Sequence, residues 1–106
     1  MTVKNDESLF NGMQSEFIDQ MAYGIRNVLL SKGISKEKLY DITDDLVFDI
    51  CTLIDGSAEC GEPEDPFVPY LTFNQPDSNP ETLIASKEGS SLHDNSISIV
   101  KKVFDI

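Results

Sequence analysis

Residues 39–56 read LYDITDDLVFDICTLIDG, and two patterns run through them at once. At 100° per residue, Leu39, Ile42, Leu46, Val47, Ile50, Leu53 and Ile54 collect on one face, the stripe of a core-facing helix. Asp41, Asp44, Asp45, Thr52 and Asp55 fall opposite, with Asp49 beside them, and Phe48 points into the middle of these acids. Gly56 supplies the stop, so a helix is expected over 36–55.

Toward the N-terminus, Ser35 can cap that helix, and Ile34 with Leu39 occupies the two positions of a hydrophobic staple. Lys32 followed by Gly33 ends an earlier helix, because a cation suits a last turn and glycine accepts the left-handed conformation. This earlier helix is expected over 12–32, with Asn11 and Gln14 at capping-box spacing. Its core stripe comprises Phe17, Ile18, Met21, Ala22, Ile25, Val28 and Leu29, with Gly24 at the edge and Tyr23 and Leu30 on the flank. So short a connection makes the two helices an antiparallel hairpin. Residues 1–11 read as a flexible tail.

Beyond Gly56, residues 57–66 (SAECGEPEDP) show no hydrophobic period and read as a loop. Residues 67–73 (FVPYLTF) are aromatic and β-branched, a strand that Pro69 confines to a sheet edge. Residues 75–80 are turn chemistry, and 81–86 (ETLIAS) fit either a short helix capped by Asn79 or the return strand of a hairpin. The strand is preferred, since a lone edge strand leaves its backbone groups unpaired. For 92–106, β-branched content favours a strand and the clean division of faces favours a helix; the helix is taken. The expected fold is α+β in one domain over 1–106: an antiparallel helix hairpin, a two-stranded β-hairpin and a C-terminal helix, in the order α-α-β-β-α.

Charge narrows the function. The 106 residues carry a formal net charge of −11, and no Lys or Arg stands between Lys38 and Lys87. That span holds Asp41, Asp44, Asp45, Asp49, Asp55, Glu59, Glu62, Glu64, Asp65, Asp77 and Glu81. The remaining eight of the 19 acids cancel the eight Lys and Arg, so the whole net charge lies mid-chain. Such a field repels nucleic acid and anionic membrane and attracts basic proteins or cations. No apolar run reaches the roughly 18 residues that a membrane-spanning helix needs, and no signal peptide is visible. A cytoplasmic protein is expected, with Cys51 and Cys60 as reduced thiols.

Catalytic chemistry finds no footing. His93 is the only histidine, and its neighbour Asp94 and nearby Ser90 and Ser91 lack the setting of a nucleophile and base. Glu59 and Glu62 flank Cys60 and disfavour its thiolate. One histidine and two separated cysteines do not close a zinc site, no EF-hand loop is present, and phosphate-binding glycine motifs are absent. No enzyme activity, metal or cofactor is expected.

The row Asp41, Asp45, Asp49 places like charges at i, i+4, each pair costing a few tenths of a kcal/mol in an exposed helix. It reads as a solvated face first, as a docking face for a basic protein second, and as a loose divalent-cation site last. Phe48 is expected to be covered by the chain's own second half; if exposed, an aromatic among carboxylates has the composition of a binding hot spot. The partner-binding candidates are therefore Asp41, Asp44, Asp45, Phe48, Asp49, Asp55, Glu59 and Glu62. In size, acidity and lack of catalytic apparatus the chain resembles bacterial immunity proteins, a likeness of type that implies an inhibitor of a cationic toxin or nuclease. The alternative is a structural module that seals a homodimer through Phe48 and the Tyr23/Leu30 flank, without small-molecule chemistry. The chain itself is expected as a monomer or a homodimer.

Overall fold

The computed structural model describes residues 1–57 and 60–106. Along the chain lie β1 (Thr2–Asn5), α1 (Glu7–Ser31), α2 (Lys36–Ile54), β2 (Cys60–Glu62), β3 (Asp65–Phe67), β4 (Phe73–Gln75), β5 (Asn79–Ala85) and α3 (Leu92–Val103). The architecture is α+β, and helix hairpin, β-hairpin and closing helix follow one another in the expected order. Among the described residues no helix is long and apolar enough to cross a membrane.

The N-terminus departs from the expected tail. Thr2–Asn5 pairs in parallel with β5, Thr2 opposite Thr82 and Asn5 opposite Ala85. Helix α1 then begins at Glu7, with Asp6 rather than Asn11 as its cap: the Asp6 carboxylate accepts the Leu9 N–H at 3.1 Å. Glu7 fastens this junction to the residues that follow β5. Its carboxylate accepts the Ser86 hydroxyl at 2.6 Å and the Lys87 N–H at 2.9 Å, and these bonds lower its pKa.

The strands also shift. The β-hairpin is β4–β5, with Phe73 opposite Ile84 and an irregularity after Asn74, whose amide bridges three β5 carbonyls between Asn79 and Thr82. Residues 68–72 form no strand, since Pro69 cannot donate to a ladder. A second small hairpin, β2–β3, arises inside the segment read as loop. Gly61 makes it possible: its φ is +87°, and a Cβ there would lie 2.8 Å from the Phe67 ring.

Ile18, Ala22, Val47, Cys51, Leu92, Val100 and Val103 join the three helices in one core. Burial and the nearby Asp55 push the Cys51 thiol up to about 11, and no disulfide joins it to Cys60. On α1 the buried row is Phe10, Gln14, Ile18, Ala22, and on α2 it is Leu39, Thr43, Val47, Cys51. Each row shares two members with its expected stripe, Ile18 and Ala22 in α1 and Leu39 and Val47 in α2, and is rotated toward one edge of it. Helix α3 packs against both partners and takes the seam between them. Polar Gln14 and Thr43 are thereby buried, while Phe17, Val28, Leu46, Ile50 and Leu53 remain exposed.

Candidate functional site

Helix α2 runs unbroken through its acids because its core row is locked between α1 and α3. The acidic side that remains faces solvent next to α3. There Asp44, Asp45, Phe48 and Asp49 meet Ile97 of α3 around an open depression of about 350 Å³. Phe48 is 37% exposed and Ile97 47% exposed. The expectation that the second half of the chain would cover Phe48 is thus met only along one edge, where the His93 ring stands at 6.3 Å and 83° to it.

The acids of this depression are not equivalent. Asp45 and Asp49 are exposed, as is Asp41, which lies one turn before Asp45 and outside the depression. Asp44 is half-buried, and its Oδ1 is shielded from water without a hydrogen-bond donor. Burial raises its pKa, Asp45 and Asp41 add to the rise, and Lys101 opposes it. Among the described residues none of these four aspartates forms an ion pair. The result is a half-buried carboxylate, one oxygen enclosed without a donor, beside two exposed apolar side chains and the exposed carboxylates of Asp45 and Asp49.

Asp55 belongs to a different structure, which corrects its assignment to the docking face. Its side chain is 1% exposed. Positioned by the end of α2, it caps α3 in place of Ser91, whose side chain makes no capping bond. One carboxylate oxygen accepts the Ser90 hydroxyl (2.6 Å) and the Leu92 N–H (3.0 Å). The other accepts the His93 N–H (2.8 Å) and faces His93 Nδ1 (2.5 Å). Burial alone would raise the pKa of Asp55; the bonds from His93, Ser90 and Leu92 outweigh it, and the pKa is lowered. Gln14 completes the clasp, its Oε1 accepting the Ser91 N–H at 2.8 Å. His93 Nε2 lies 3.3 Å from Asp94, so both ring nitrogens face carboxylates.

Glu62 lies exposed at the end of β2 opposite Asp65, apart from the depression. Glu59 lies outside the described residues. Ile97 is the member absent from the sequence candidates: it is apolar, yet it lies outside the buried row of α3, which is Leu92, Ser96, Val100 and Val103. Among the described residues, no group of three or more His, Cys, Asp or Glu is placed to hold a metal ion. Comparison of the chain with protein-family models, with curated proteins and with solved structures finds no match in any of the three.

Proposed function

We propose that this chain is a small non-enzymatic interaction protein whose acidic α2 face docks a basic protein, in the manner of an inhibitor or immunity protein acting on a cationic toxin or nuclease. The observation that carries this reading is the group Asp44, Asp45 and Asp49, none of them in an ion pair among the described residues, gathered around exposed Phe48 and Ile97. A lysine or arginine laid over Phe48 meets an aromatic face and the exposed carboxylates of Asp45 and Asp49 together. Asp45 and Asp49 at the rim, with the surplus of acids behind them, speed the encounter and repel nucleic acid and anionic lipid. The cytoplasmic placement expected from the sequence belongs to the same proposal.

The test is affinity capture from the native lysate with the wild-type chain and with an Asp44→Lys/Asp45→Lys/Asp49→Lys variant. A basic protein held by the wild type at low salt, eluted by high salt and absent from the variant is the expected result. Capture of the same proteins by both baits, at either salt, would defeat the reading.

A further inference from the structure

The helix hairpin keeps an apolar stripe that α3 does not cover. Val28 (59% exposed), Leu46 (41%) and Leu53 (46%) stand in water along it, and Ile50 continues it between the last two. Between the helices Gly24 opens a groove of about 230 Å³, whose other lining residues are Ile25, Val28, Leu29 and Leu46. A Cβ at Gly24 would touch nothing within 4 Å, and no lining residue of the groove is charged. Single exposed apolar residues are ordinary on a protein surface, whereas a continuous stripe across two helices marks an interface.

We infer that this face joins two copies of the chain, each helix hairpin packing on the other in a two-fold dimer. Area supports a second copy as the occupant. The 19 residues of α2 make a helix about 28 Å long, and two adjacent helices present a face about 20 Å wide. Closing two such faces on each other buries on the order of 1,100 Å² in total, above the roughly 1,000 Å² that a specific interface needs. A two-helix face is also self-complementary under a two-fold axis, ridges of one copy entering the groove of the other. Charge acts at the margin: Asp45 and Asp49 lie on α2 beside the stripe, and two chains of net charge −11 repel. Added salt screens that repulsion and leaves the apolar contact in place, so the dimer tightens as salt rises. A complex with a basic partner responds in the opposite direction. The dimer does not depend on the docking role of Asp44, and salt separates the two.

Sedimentation equilibrium of the full chain from micromolar to sub-millimolar concentration, at about 0.05 M and about 0.5 M NaCl, tests the inference. A monomer–dimer equilibrium is expected, with the smaller dissociation constant at high salt. Val28→Glu and Leu53→Glu, each at an exposed position and each checked by far-UV circular dichroism, should raise that constant on the order of a hundredfold. Asp44→Lys should change it less than about threefold, the effect of a charge outside the contact. A wild-type monomer throughout, which would leave the stripe to another occupant, overturns the inference. So does a dimer that salt weakens, or one that the folded glutamate variants leave intact.

Discussion

Asp55 closes one helix with its backbone N–H and starts another with its carboxylate. Its partners Ser90, Leu92 and His93 lie 35 to 38 residues further along the chain, so nothing local announces the clasp. Taken with α2 alone it is an acid at the unfavourable end of a helix dipole; in three dimensions it also sits at the favourable start of α3. Asp55→Ala leaves the Leu92 and His93 amides without their acceptor and should destabilise the fold by about 2–3 kcal/mol, read from urea denaturation. Because its pKa is lowered by folding, the folded protein binds fewer protons at this site than the unfolded chain. The stabilisation is complete above the unfolded value of about 4 and is lost as pH falls through the lower folded value. An Asp55→Asn variant should therefore show a shallower loss of stability between neutral and strongly acidic pH.

Asp44 titrates with the opposite sign: its pKa is raised, so its ionised form opposes folding above the folded pKa, and that penalty is gone below the unfolded one. Asp44→Asn is expected to gain about 0.5 kcal/mol at neutral pH, a small figure because water still screens much of the group, while weakening the partner complex. At a pH low enough to protonate Asp44 the gain should disappear, as paired denaturation curves will show. A variant that is more stable and binds less well separates the two roles of this carboxylate.

At the scale of elements, what was legible had a local cause. The two long helices and α3 were readable because their periodicity lies within each segment, and β5 because its segment needed a partner. The strand β1 was not, since Thr2–Asn5 is polar and exposed and becomes a strand only beside residues 82–85. The exact buried rows were equally hidden. An apolar stripe on an isolated helix shows what can be buried, and the angle at which a third helix arrives selects what is. That is why Thr43 went inside while Leu46 stayed out. Deleting residues 1–5 should cost about 2 kcal/mol and speed amide hydrogen exchange in β5, whose other edge keeps β4. Unchanged β5 exchange would mean that β1 contributes nothing to the sheet.

For the whole molecule, the charge distribution read from the sequence carries directly into the structure, because charge needs no fold to be counted. What the fold adds is sorting: Asp55 is withdrawn into the clasp, Asp44 is half withdrawn, and the other described acids between Lys38 and Lys87 are exposed. Self-repulsion among the exposed acids should make the melting temperature rise by a few degrees with added salt. The Val28→Glu variant is the appropriate background, since it removes the proposed self-association from the measurement. The pairing of β1 with β5 also orders events in time. Thr2–Asn5 leaves the ribosome long before residues 82–85, so β1 waits unpaired while the helix hairpin forms from near neighbours. The earliest-made strand is among the last to find its place, and a nascent chain that stops short of β5 lacks the three-stranded sheet altogether.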